Sequence, residues 1–258
     1  MSASQKPYEG ILICTDFDGT LSGKDGVAER NREAIADFCA KGGCLTISSG
    51  RDADFLSKTA GGLFNAPLIC INGTQIYDTK TEQVLFVAPL DKKAIEPHQD
   101  KTIPQPFRLE VIPEAGEKLV FLPDDSIDIP ADSSFEIAKI VTMYDSIELC
   151  VAAKEALIQK YPQYDWGRSW TWGLEQIAGN AGKGVCVNWL RRHLGAKLVI
   201  AIGDFENDAS MLETADIAFA PENALPEIKA ICDYVVCHVD QGAVADMIAK
   251  LPEILSNF

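Results

Sequence analysis

Two carboxylates spaced two residues apart, Asp16 and Asp18, stand immediately after the apolar run 11–15. Far along the chain another acidic group follows a similar run: Asp204 comes after 198–202, with Asn207 and Asp208 close behind. Oxygen ligands of this kind hold a hard cation, and Mg²⁺ is the expected choice for Asp16, Asp18 and Asp204. Carboxylates alone repel a phosphate. A cation among them reverses that field, so an acidic cluster can serve phosphoryl transfer. One carboxylate can then act as a covalent nucleophile. The second, on the same side of an extended segment, can handle the proton of the leaving group. The far side of the phosphate needs donors and positive charge. Ser49, the Gly50 amide and Arg51 are suitable, and they follow the run 44–47. Lys183, within Gly179-Asn180-Ala181-Gly182-Lys183-Gly184, is the best cation because the chain should re-enter the core there.

Each group also has a plainer reading. A lone D-x-D is most often a solvated turn pair, Ser-Ser-Gly-Arg can be an ordinary helix cap, and Lys183 can be surface charge. What joins them is order: each of the acidic and Ser-Ser-Gly-Arg groups ends its own apolar strand. In an open parallel sheet, ligands bind beyond the carboxyl ends of the strands.

Those strands are readable. The runs 11–15, 44–47 and 68–71 lack period-two alternation, which suits strands buried on both faces. A helical pattern over 28–41, with Ile35, Phe38 and Cys39 on one face and Gly42-Gly43 as a stop, separates the first two. This β-α-β-α-β order predicts a parallel sheet with helices on its faces. The style returns near the end, with strands at 198–202, 217–220 and 234–236, a short helix at 208–213, and a final helix over 243–255 broken by Pro252. Between them the chain reads differently. Residues 86–178 hold most of the prolines; Phe107, Leu109 and Val111 alternate with polar neighbours, as do Trp170, Trp172 and Leu174. Half-exposed antiparallel strands are expected there, with a helix over 146–160. The middle is thus an α+β insertion in a discontinuous α/β core.

A formal charge of −15 argues against nucleic acid as a partner. Eight cysteines are scattered without a C-x-x-C, several inside apolar runs, which fits neither a zinc site nor a disulfide framework. A reducing cytoplasm is the expected location. No apolar run approaches membrane-spanning length, so no membrane partner is expected.

With these residues in place, the sequence resembles the haloacid dehalogenase-like (HAD) phosphatases, particularly the Cof-type, class IIB branch. Asp16-Phe17-Asp18-Gly19-Thr20-Leu21 is similar to the first family motif and Ser48-Ser49-Gly50-Arg51 to the second. Lys183-Gly184 resembles the third, and Gly203-Asp204-Phe205-Glu206-Asn207-Asp208 the fourth. The resemblance implies a HAD-like Rossmannoid three-layer α/β core with a parallel sheet, formed by 1–85 and 179–258. It also implies an inserted α+β C2-type cap over 86–178 that closes on the site and selects the substrate. By the same resemblance Asp16 is the nucleophile and Asp18 the general acid/base. Ser49 and Lys183 grip the phosphate, with Phe17, Thr20, Gly50, Arg51 and Asn207 as further substrate contacts. Mg²⁺ sits on Asp16, the Asp18 carbonyl and Asp204, with Asp208 in support. The dehalogenases of the superfamily lack the second Asp, so Asp18 favours phosphoryl transfer. The implied partner is a small phosphorylated metabolite such as a sugar phosphate, and the protein is expected to be a monomer or weak homo-oligomer. A phosphomutase, or a non-catalytic binding protein on the same scaffold, stays as an alternative.

In the insertion, Trp170, Trp172 and Leu174 at period two read as one packed strand face. Arg168 is the residue there able to meet a second anionic group of the substrate. His98 and His193 are expected on surfaces.

Overall fold

A computed structural model describes residues 6–114, 116–130 and 135–256. The chain divides into two compact units, Met1–Leu85 with Lys183–Phe258, and Phe86–Gly182.

The first unit begins with β1 (Ile11–Thr15), buried at every position. A small hairpin follows, β2 (Ser22–Gly23) with β3 (Gly26–Val27). Next is α1 (Glu29–Ala40), which turns Asn31, Ile35 and Phe38 inward. The chain then passes to β4 (Cys44–Ile47) and α2 (Ala53–Ala60), whose N-cap Asp52 accepts the Phe55 N–H at 2.8 Å. β5 (Leu68–Cys70), β6 (Gln75–Asp78) and β7 (Gln83–Val87) form a separate three-stranded sheet, with β5 antiparallel to β6. The run 68–71 is therefore not a full member of the parallel sheet. Its link to that sheet is a single parallel bridge between Ser48 and Ile69, and its backbone ladder goes to β6 instead.

The inserted unit holds α3 (Glu96–Gln99), β8 (Arg108–Pro113), β9 (Leu119–Phe121), β10 (Ile137–Met143), α4 (Ile147–Lys160), β11 (Tyr164–Trp170) and β12 (Gly173–Ala178). Its five strands make one antiparallel sheet in the order β11-β12-β10-β8-β9. α4 starts at Ser146, whose hydroxyl accepts the Leu149 N–H, and buries Cys150, Ala153 and Leu157 among Tyr144, Trp166 and Leu174. Two expectations fail here. Trp170 and Gly173 pair across a hairpin, so Trp170, Trp172 and Leu174 do not share one strand; Trp172 lies in the turn, half exposed, while Leu174 is buried. Period two continues through a tight turn and cannot show where a strand ends. His98 is buried rather than exposed, with its Nε2 2.7 Å from Gln176 Oε1 and its ring edge-on to Trp166. His193 is exposed and stacks on Trp189.

The chain returns to the first unit through α5 (Lys183–Leu194), β13 (Leu198–Ile202), α6 (Ala209–Thr214), β14 (Ile217–Pro221), α7 (Pro226–Ile231), β15 (Tyr234–Val236) and α8 (Ala243–Leu255). The main sheet has the order β15-β14-β13-β1-β4, parallel throughout, with β1 between β13 and β4. α8 is not broken at Pro252. Leu251 and Ile254 are buried on either side of it, so packing holds the last turn helical despite the missing N–H. All eight cysteines are free thiols.

Candidate active site

β1 and β13 run parallel in register, Thr15 beside Ile202, so the chain leaves both strands at the same end. Asp16 follows one and Asp204 the other. The two loops approach so closely that Gly19 allows no side chain: it has φ +86°, and a Cβ there would lie 2.5 Å from Asp204 Oδ2. Thr20 Oγ1 donates to Asp204 Oδ1 at 2.6 Å, joining the loops directly. The Asp204 loop is folded back on itself by Asp208, whose Oδ2 accepts the N–H groups of Asp204 (2.9 Å) and Phe205 (3.1 Å). Lys183, the first residue of α5, has a fully buried side chain. Its Nζ lies 2.6 Å from Asp16 Oδ1 and 2.6 Å from Asp208 Oδ1.

Oxygens from Asp16, Asp204 and Asp208 all lie within 4.8 Å of one another. One ammonium sits among three carboxylates and bonds two of them, and the imbalance is felt at Asp16 and Asp204. Burial, then the Asp208 charge, holds the Asp16 carboxyl well above the ordinary carboxylate range, although Lys183 opposes this. Burial and Asp208 likewise push Asp204 up to about 7, against the Thr20 hydrogen bond. Lys183 itself is pulled down by burial but raised further by Asp16 and Asp208, so it stays charged. An all-oxygen, electron-rich cluster short of positive charge fits a hard divalent cation. Asp208 has both oxygens committed, to Lys183 and to two amides. Among the described residues, Asp16 and Asp204 each engage a single side-chain donor, Lys183 and Thr20.

Ser49 is buried after β4, and its Oγ accepts the Arg51 N–H at 3.2 Å. Arg51 spans Asp18: Nε donates to Oδ2 at 3.0 Å and Nη2 to Oδ1 at 3.2 Å. The same guanidinium lies 4.7 Å from the centre of the Phe55 ring. Both partners of this pair are about half exposed, at 50 % and 55 % of their side-chain area. Asn207 Nδ2 donates to Asn72 Oδ1 at 3.0 Å, tying its loop to the left-handed turn after β5. Thr20, expected on the substrate, is instead fully buried and bonded to Asp204, so its hydroxyl supports the acidic cluster. Arg168 belongs to the inserted unit, where it is buried and donates through Nη1 to the Thr171 carbonyl at 3.1 Å.

Two residues at the site stood outside the expected set. Asn72 was visible as a polar residue at a strand end. Asn223, whose Nδ2 donates to the Gly19 carbonyl at 2.7 Å, carries no signal from spacing because its partner is 204 positions away.

The family model of haloacid dehalogenase-like hydrolases matches residues 13–123 and 116–248. Phosphoglycolate phosphatase 2 of Saccharolobus solfataricus is 27% identical over 245 residues, covering 93% of this chain and 92% of that protein. The 5-amino-6-(5-phospho-D-ribitylamino)uracil phosphatase YwtE of Bacillus subtilis is 27% identical over 282 residues, covering 93% of this chain and 97% of its own. Among solved structures, a haloacid dehalogenase-like hydrolase from B. subtilis superposes with a TM-score of 0.79 at 22% identity, over 93% of this chain and 99% of that one. A HAD subclass IIB sugar phosphatase gives 0.76 at 21% identity, over 93% and 98%. At these identities the structures show a shared fold.

Proposed function

This chain belongs to the haloacid dehalogenase-like hydrolases and is a phosphatase; from that premise we propose that it hydrolyses a small phosphorylated metabolite through an aspartyl-phosphate on Asp16, with Mg²⁺ as cofactor. The observation that carries the reading is the buried Lys183 held between Asp16 and Asp208 at 2.6 Å each, with Asp204 at the neighbouring strand end.

Asp16 attacks phosphorus through a carboxylate oxygen, the bond from phosphorus to the ester oxygen breaks, and Asp18 gives that oxygen its proton. Water then attacks the phosphorus of the aspartyl-phosphate, Asp18 takes the proton, and phosphate leaves with Asp16 restored. Lys183 fixes Asp16 and balances part of the charge the phosphate brings. Ser49 and the Gly50 amide receive phosphate oxygens, and Arg51 orients Asp18 from the side. Mg²⁺, held by Asp16, the Asp18 carbonyl and Asp204, supplies the positive field that lets a phosphate dianion approach carboxylates. Asp208 supports that set through Lys183 and the Asp204 loop.

The inserted unit Phe86–Gly182 is the part we assign to substrate selection. The similarity to phosphatases of phosphoglycolate and of a phosphorylated ribitylaminouracil supports a small monoester. Among the described residues no helix is long and apolar enough to cross a membrane. The test is phosphate release from a generic aryl phosphate with Mg²⁺ and after chelation, together with acid trapping of the phosphoenzyme. Release that needs Mg²⁺ and a trapped phosphoryl group on Asp16 support the reading. Release that survives chelation, or no trapped adduct on Asp16, overturns it.

A further inference from the structure

We propose that Asn223 is a positioning residue for the cation site, acting by fixing the distance between the Asp16–Thr20 loop and the Asp204 loop. This rests on the reading of Asp16, the Asp18 carbonyl and Asp204 as the cation's ligands.

The turn after β14 holds both loops. It is closed by the Ala224 N–H on the Pro221 carbonyl at 2.9 Å. From it, Asn223 Nδ2 donates to the Gly19 carbonyl at 2.7 Å, and the Leu225 N–H donates to the Asp204 carbonyl at 3.0 Å. The side-chain amide has only one workable orientation, because its Oδ1 accepts the Val239 N–H at 3.0 Å while its Nδ2 serves Gly19. Val239 therefore aims the donor, and the turn carries two opposed anchor points within three residues.

The interval being fixed is a sensitive one. Gly19 already stands where a Cβ would overlap Asp204, and Thr20 bridges to Asp204 at 2.6 Å. A small hard cation demands near-ideal octahedral geometry with short bonds, so a few tenths of an ångström between the loops change its affinity. Groups that orient ligands from outside are worth roughly 10–100-fold in metal affinity. Loss of the Asn223 amide donor leaves Thr20 as the side-chain tie between the loops, and the carbonyl next to the Asp18 ligand loses its anchor.

The experiment is calorimetric titration of the purified protein with Mg²⁺ alone, paired with the Mg²⁺ dependence of aryl phosphate turnover. Asn223→Asp keeps the acceptor for Val239 but opposes an oxygen to the Gly19 carbonyl; Asn223→Ala removes both bonds. Each is expected to weaken Mg²⁺ binding about 10-fold or more, with turnover largely recovered at saturating Mg²⁺. Asn31→Asp is the comparator. Asn31, on α1, is a buried bridge of the same kind, from the Leu21 carbonyl to the Ala245 N–H. It should lower thermal stability and leave Mg²⁺ affinity as it was. Mg²⁺ affinity within twofold of the parent in both Asn223 variants overturns the proposal, as does an equal loss in Asn31→Asp, which would mean general loosening. A parent protein that binds no Mg²⁺ overturns the cation reading itself, and the proposal with it.

Discussion

In the unit that carries Asp16, one buried ammonium sits among three carboxylates. The inserted unit also buries charge, but there Lys139 meets Glu175 across its sheet, at 3.0 and 3.1 Å. Beside them Glu110 takes Arg108 and Lys118, each at 2.8 Å. The chemical difference is balance. Lys139–Glu175 brings one cation to one carboxylate. The Asp16 cluster is left with excess negative charge, which a protein tolerates where a cation or a reaction resolves it. Buried charge by itself marks neither region as functional; the unmatched remainder does.

The largest effect should come from breaking the unmatched cluster. Asp16→Asn is expected to lower kcat by roughly 10⁴-fold or more while the fold is kept, because it removes the attacking oxyanion. Normal turnover in this variant would remove Asp16 as nucleophile. Lys183→Ala should cost roughly 10²–10³-fold in turnover, since phosphate and carboxylates then face each other with one cation fewer. Kinetics like those of the parent would mean that another cation does this work.

The matched pair should respond in the opposite sense. Lys139→Ala takes the Lys139 ammonium from the buried Glu175 carboxylate and is expected to cost about 3 kcal/mol of stability, with aryl phosphate turnover by the surviving folded protein little changed. The double change Lys139→Met with Glu175→Leu should recover most of that loss, read by denaturant unfolding. A double variant as unstable as the single would show that the pair has work beyond its own neutrality.

In pH dependence the two regions should oppose each other. Asp204 is held at about 7, mainly by burial, against about 3.9 when unfolded. Between those values the folded state keeps a proton that the unfolded state has lost. Stability of the metal-free protein should therefore be highest below pH 4 on this account and fall as pH rises through 7. Asp204→Asn should flatten that fall. His98 is held down to about 4 by burial, against about 6.5 when unfolded, with Gln176 opposing. There the unfolded state takes the proton first, so stability is present above 6.5 and lost as pH falls towards 4. His98→Asn should remove that acid-side loss. Parallel slopes in the two variants would sink the contrast.

Much of the parallel sheet could be read from apolar runs alone, since a strand buried on both faces has little choice of residues. β1, β4 and β13 lie where those runs are, and Asp16 and Asp204 end two of them. Register between parallel strands then brings the groups at their ends together, which is why order along the chain was enough to gather Asp16, Asp204 and Asp208, while Lys183 reaches them from the start of α5. The run 68–71 shows the limit. Its apolar character says that it is buried and does not say which strand its backbone joins.

The sequence by itself determined the residue types of the acidic cluster, the strand ends that carry them and the reaction class they suit. Only the tertiary structure decided which polar group serves which. Thr20 turns inward to Asp204, 184 positions away, while Arg51 closes on Asp18 and His98 finds Gln176 in the other unit's interior. Periodicity records which side of an element is buried; it carries nothing about what arrives from elsewhere in the chain to cover it. A hydrogen bond is settled within a few tenths of an ångström, and that precision exists only once the loops have been packed against each other.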